Sequence, residues 1–135
     1  MSALADDAVF AAVEAADARL AGELHWDRQG PAHALPYAVL TSLPAMVESA
    51  DTAGSMLENC GYRFQVFAAR RSTAREILEA VEGALVWQPL GFAGFVECRK
   101  RTDDCFEEPE RDENGDPVFQ GLLDLTVVVD REPGT

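Results

Sequence analysis

Apolar residues recur along this chain with two different periods, and the switch between them marks out the elements. In ADDAVFAAVEAADARLAG, Val9, Val13, Ala16 and Leu20 stand at i, i+4, i+7 and i+11, one face of a 3.6-residue repeat. The spacing predicts an amphipathic helix capped by Asp6 or Asp7, because a short carboxylate accepts from the free N–H groups of a first turn. Gly22 stands where such a helix stops. ELHWDRQGPAHALP reads as a short strand or extended piece and then a Gly-Pro loop. Tyr37 to Leu43 is rich in β-formers and starts after Pro36, which suits a strand end because proline lacks a ladder N–H. Residues 44–58 have only weak periodicity and read as a long loop with room for a helical turn.

The second half is more regular. Tyr62, Phe64, Val66 and Ala68 alternate with Arg63 and Gln65, the period of a half-buried strand, and Phe67 breaks the polar side. Thr73 and Glu76 have the spacing of a capping box. They predict a second helix with Ile77, Leu78, Val81 and Leu85 on its inner face. Phe95 to Arg101 reads as a strand. The closing strand runs from Val118 to Asp130, with Phe119, Leu123, Leu125, Val127 and Val129 on one side. TDDCFEEPERDENGDP lies between these two strands as a long acidic loop.

The order α-β-β-β-α-β-β predicts an α+β fold. The expected architecture is an antiparallel sheet of four to five strands with two helices packed on one face and a long acidic β-hairpin loop. Residues 1–135 are expected to form a single domain, since no repeat or linker divides them. Phe64, Val66, Ile77, Leu78, Val81, Leu85, Leu125 and Val127 are the predicted core.

Composition narrows the function. The chain has 135 residues, 47% of them hydrophobic and 26% charged, an ordinary globular balance. No apolar run approaches the roughly 20 residues of a membrane span. The acidic start MSALADD lacks the basic region of a secretory signal, so none is expected. Cys60, Cys98 and Cys105 form an odd set without close pairing, which points to free thiols in a reducing compartment. The net charge is -13. Phosphate contacts supply most of the affinity of a general nucleic-acid binder, so the balance opposes that role and membrane-surface binding alike.

The charge is segregated. Residues 1–58 carry net -7, residues 59–102 net +3 and residues 103–135 net -9. Arg70, Arg71 and Arg75 cluster where a strand turns into the second helix. Asp103, Asp104, Glu107, Glu108 and Glu110 cluster far along the sequence. In a monomer these eight residues can simply be solvated; if copies of the chain assemble head to tail, they are the candidate subunit-contact residues, because opposite charges on two surfaces orient one copy against the next.

Catalytic signatures are weak. His25 and His33 lie too far apart for one helix face and have no cysteine at zinc-ligand spacing. No phosphate-loop, dinucleotide or nucleophile-elbow motif occurs. Glu110, Asp112, Asn114 and Gly115 match positions 1, 3, 5 and 6 of a calcium loop, but position 12 is Gly121 instead of a bidentate Glu. A solvated hairpin tip is the preferred reading, and no metal or other cofactor is expected.

Over about residues 6–130, the chain resembles the tail-completion, or tail terminator, proteins of long-tailed phages and gene transfer agents. LPYAVL resembles that family's proline-aromatic strand start. YRFQVFAARRSTAREILEAVEGAL is similar to its strand and short helix, GFVECRKRTDD to its next strand, and ENGDPVFQGLLDLTVVVD to its turn and long closing strand. The long 44–58 segment and the length of the acidic loop depart from the pattern.

The resemblance implies a non-enzymatic virion protein assembled in the bacterial cytoplasm and located in the tail-neck region. It would form a homo-oligomeric ring, usually a hexamer, between the tail tube protein and a head-completion connector protein. DNA would pass through without specific binding, and acidic side chains would repel phosphate over about 8 Å at physiological salt. A head-completion stopper or adaptor is the nearest alternative. An acidic DNA-mimic inhibitor ranks lower, because 8 of the 24 acids crowd into residues 103–116 instead of spreading along a face. A small α+β enzyme ranks lowest.

Overall fold

The computed structural model describes residues 3–26, 34–43, 46–50, 56–109, 111–112 and 114–130. In chain order these form α1 (Ala3–Ala16), a 3-10 turn (Ala18–Leu20), β1 (Leu24–Trp26), β2 (Tyr37–Ser42), β3 (Met46–Ala50), β4 (Met56–Ala68), α2 (Arg71–Leu85), β5 (Phe95–Glu107) and β6 (Phe119–Asp130). One six-stranded sheet runs β1-β2-β4-β6-β5, and β3 pairs with β4 beyond the end of β2. Every pairing is antiparallel except that of β1 with β2. The expected α+β class is found, with a mixed sheet in place of a wholly antiparallel one. Alternation of side chains is the same whichever way a neighbour runs, so the pattern carried no direction for β1.

All eight predicted core residues are buried. They meet because Tyr62 opposes Leu125 and Phe64 opposes Leu123, which puts the even positions of β4 and the odd positions of β6 on one face. Ala38 and Leu40 of β2 extend that face. Val9 and Val13 of α1 and Ile77, Leu78, Val81 and Leu85 of α2 cover it. Phe67, the residue that broke the polar side of its strand, lies on the opposite face. There its ring stacks on Tyr37 at 5.0 Å and joins a small second cluster with Val39.

Four expectations are corrected. Residues 44–58 are no simple loop: they hold β3 and the start of β4, with residues 44–45 and 51–55 outside the described residues. A register shift between Val47 and Ser49 breaks the period of two, which hid the strand. β5 continues to Glu107, so Asp103, Asp104 and Glu107 belong to a strand. An edge strand needs only one ladder and tolerates charge beside water.

Asp6 does not cap α1, which begins earlier. Its carboxylate instead accepts the Tyr62 hydroxyl at 2.6 Å, while Asp17 caps the following 3-10 turn. Thr73 and Glu76 form no capping box either. α2 starts at Arg71 with Arg70 as its cap residue and no side-chain cap bond, and Glu76 receives Arg19 at 3.0 Å. The strand ends so close to the helix that the first turn begins before Thr73.

Two substitutions test this packing. Leu125→Ala is expected to lower stability in urea unfolding by about 2–5 kcal/mol, and a loss below ~0.5 kcal/mol would place Leu125 at the surface. A Cβ at Gly121 would stand 2.7 Å from Leu78 Cγ and 3.0 Å from Val66 Cγ1. Gly121→Ala is therefore expected to cost about 1–3 kcal/mol through overpacking under α2, read in the same unfolding series.

Candidate functional site

Of the predicted contact residues, Arg75 and Asp103 are brought together where the turn from β4 into α2 meets the edge strand β5. Arg70 caps α2 in an extended conformation and is exposed. Arg71 is held at both ends of its guanidinium surface: Nη1 donates to the Cys105 carbonyl at 2.9 Å, and the group lies 5.4 Å from the centre of the Phe119 ring. Arg75 Nη1 is 3.8 Å from Asp103 Oδ2, and Lys100 Nζ lies at the same distance from that oxygen. Lys100 also reaches Glu82 of α2 at 3.3 Å. The basic turn and the middle of β5 therefore meet within one chain.

Beyond Asp103 the acids run toward the hairpin tip. Asp104 is exposed and accepts the Cys105 N–H at 2.8 Å. Glu107 is exposed, and Glu108 closes the hairpin through its N–H to the Val118 carbonyl at 2.7 Å. Burial raises the Tyr37 phenol pKa, and the charge of Glu108 raises it further. Glu110 lies outside the described residues.

The tip folds on Asp112, whose Oδ1 accepts the N–H groups of Asn114 at 2.9 Å and Asp116 at 2.8 Å. Gly115 has φ +80, a conformation that favours glycine. Asp112 thus spends its carboxylate on the turn. Among the described residues no group of three or more His, Cys, Asp or Glu converges to hold a metal ion.

The three cysteines are free and buried. Burial pushes the Cys60 thiol up to about 11, with the neighbouring Glu58 charge adding to it, and burial pushes Cys98 up to about 11 as well. A thiol in that range stays protonated at neutral pH and is a poor nucleophile.

Sequence reasoning missed the side of the sheet away from the helices. Arg63 pairs with Asp124 through two hydrogen bonds, Nε to Oδ1 at 2.9 Å and Nη2 to Oδ2 at 3.1 Å, and Thr102 donates to Asp124 at 3.3 Å. These residues form one row across β4, β6 and β5. The next row is Gly61, Thr126 and Arg99, and it borders a cleft of about 410 Å3. The signal available was a lone Arg and a lone Asp on otherwise apolar strands; only the register says that they meet. Trp87 was also missed. It follows α2 with φ +58 and is 66% exposed, while its N–H is fixed to the Cys98 carbonyl at 2.8 Å.

The Arg63 guanidinium holds the Asp124 carboxyl below its ordinary value of 3.8. A depressed carboxylate adds stability above its unfolded pKa and loses it as pH falls through the folded one. Because Arg63 is 43% exposed, solvent screening limits the contribution to roughly 1 kcal/mol. Asp124→Asn is expected to be less stable than the parent at pH 7 and to converge with it as acidification passes through the lowered Asp124 pKa, as measured by denaturant unfolding at neutral and acid pH. An equal gap at both would show that the charge contributes nothing.

Comparison with known proteins places these features in context. The family model described as tail completion protein gp17 matches residues 3–130. A chain in the solved virion of a native gene transfer agent particle has the same fold at a TM-score of 0.61 and 19% identity, with 96% of this chain and 99% of that one covered. The comparison with curated proteins finds no match.

Proposed function

This chain belongs to the gp17 tail completion family of structural virion proteins, and on that premise we propose that it acts as a ring-forming terminator of the phage tail, joining the tail tube to the head. The family match over residues 3–130 carries the reading. The partners would be further copies of the chain in a hexameric ring, with the tail tube protein on one side and a head-completion connector on the other. DNA would pass through the lumen, and a net charge of -13 opposes phosphate contacts that would retain it.

A head-to-tail ring needs each subunit to offer one surface to a different surface of its neighbour. The strip containing Arg70, Arg71, Arg75, Asp103, Asp104, Glu107, Glu108 and Glu110 is proposed as one of these surfaces. Each exposed ion pair contributes only ~0–1 kcal/mol, so the charges set orientation while apolar contacts supply affinity. Trp87 and Val96 are large apolar side chains left exposed, and a rigid aromatic of this kind is the usual anchor of an interface.

Negative-stain images of the purified protein are expected to show rings, and particles lacking it are expected to carry unjoined tails of uncontrolled length. DNA-leaking heads without tails would favour a stopper instead. Reversing Arg70, Arg71 and Arg75 to Glu is expected to abolish rings while the circular dichroism of the fold is kept. Reversing the acids to Lys in the same chain should partly restore them. That restoration also re-forms the internal Arg75–Asp103 pair, so Arg70→Glu isolates the contact between subunits: Arg70 has no ion pair among the described residues. Normal rings from the triple variant would remove the basic turn from the interface.

A further inference from the structure

The cleft on the helix-free side of the sheet is a basic concavity on an acidic chain. Arg99, Arg101, Asn59, Gly61 and Thr126 border it. Arg99 and Arg101 reach it for different reasons. Arg99 opposes Thr126 in the ladder, whereas the register shift between Lys100 and Thr102 leaves Arg101 as the extra residue of a bulge. Arg99 Nε lies 2.9 Å from a Glu97 carboxylate oxygen. Arg101 has no ion pair among the described residues. Asn59, which also lines the cleft, has its Oδ1 buried with no hydrogen-bond partner.

Within the chain Glu97 engages Arg99 and the Arg101 charge acts on Asp124, but the acidic tip is out of reach of the cleft. From Arg99 to Glu107 the strand runs roughly 26 Å at its usual rise, and the acidic tip lies further on. The tip is also tied into a tight turn by the Asp112 bonds and by Arg111 Nη1 to the Gly115 carbonyl at 3.1 Å. Only another molecule can fill the cleft with this tip.

Building on the ring reading above, we propose that the acidic tip of the β5–β6 hairpin of one copy docks into the Arg99–Arg101 cleft of the next. A hairpin tip is narrow and carries carboxylates, with Asp116 exposed, which suits two guanidinium groups. A duplex fits less well: phosphates recur along a rod and are held by a long stripe of basic residues, whereas this cleft offers Arg99, Lys100 and Arg101, neighbours on one strand, of which Lys100 is engaged by Glu82 and Asp103. Tip and cleft are different surfaces of one chain, which is the requirement for a head-to-tail contact.

Sedimentation and negative-stain imaging of three proteins test the proposal: wild type, a cleft variant R99E/R101E and a tip variant D116R. Each variant alone is expected to stay monomeric with unchanged circular dichroism. Their equimolar mixture is expected to recover rings, because each contact then joins opposite charges. R101E alone, which breaks no internal ion pair, is expected to weaken assembly at least tenfold and guards against a misfolded double variant. Wild-type-like rings from the cleft variant, or no recovery from two folded variants, would overturn the docking and leave the ring reading standing. A monomeric wild type would overturn the ring reading and the docking with it. Intact rings whose duplex DNA binding is lost in R99E/R101E would make the cleft a phosphate site and overturn the proposal.

Discussion

The antiparallel ladder of β4 against β6 is the constraint from which the rest of the molecule follows. It pairs every residue of β6, from Phe119 opposite Ala68 to Asp130 opposite Leu57. A slip of one residue would turn Tyr62, Phe64 and Val66 out of the core together, so burial of one face fixes the register of both strands. The helices are then placed by what this face presents. Gly121 leaves space that Leu78 of α2 fills. Tyr62 spans the core to Asp6 of α1, and burial together with the Asp6 hydrogen bond raises its pKa, so the hydroxyl remains a donor. Arg19 joins Asp17 to Glu76 and so ties the end of the first helical segment to α2.

The same register governs the other face and the edge. Because even positions of β4 face the helices, Gly61 and Arg63 must face away from them, where they meet Thr126 and Asp124. β5 adds Arg99 and Thr102 to those two rows. As the outermost strand of this side, β5 has an edge that no strand of the described residues covers, although Trp87 and Arg71 bond its Cys98 and Cys105 carbonyls. Its bulges at Phe95/Glu97 and Lys100/Thr102, and the charges around them, are the features by which natural sheets restrain edge-to-edge pairing. Charge on β5 therefore serves the fold as well as any partner.

The core was legible in the sequence because Phe64, Val66, Leu125 and Val127 sit at period two and Ile77, Leu78, Val81 and Leu85 at helical spacing, and neither period depends on distant contacts. The helix caps were not legible. Thr73 and Glu76 have the right separation, but Arg19, distant in sequence, takes Glu76. β3 was hidden by a bulge, and the acidic half of β5 by its lack of apolar residues. At the candidate site, the clustering of Arg70, Arg71 and Arg75 could be read directly. Their approach to Asp103 and Cys105 could not, because it depends on α2 lying beside β5. The Arg63–Asp124 row and the cleft were out of reach for the same reason: they are products of register.

Folding converts a segregation of charge along the sequence into a segregation along one strand. Arg99, Lys100 and Arg101 occupy one part of β5, and Asp103, Asp104 and Glu107 the next. Neutralisation inside the chain happens at the boundary, where Lys100 and Arg75 converge on Asp103. On the basic side of that boundary Arg101 stays without an ion pair among the described residues, and on the acidic side Glu107 stays exposed. A rigid ladder keeps the two ends apart, so internal collapse cannot cancel them. The edge consequently has a direction, basic at one end and acidic at the other. Direction is what a closed head-to-tail ring demands of its subunit, and a uniformly acidic surface would repel its own copies instead of orienting them.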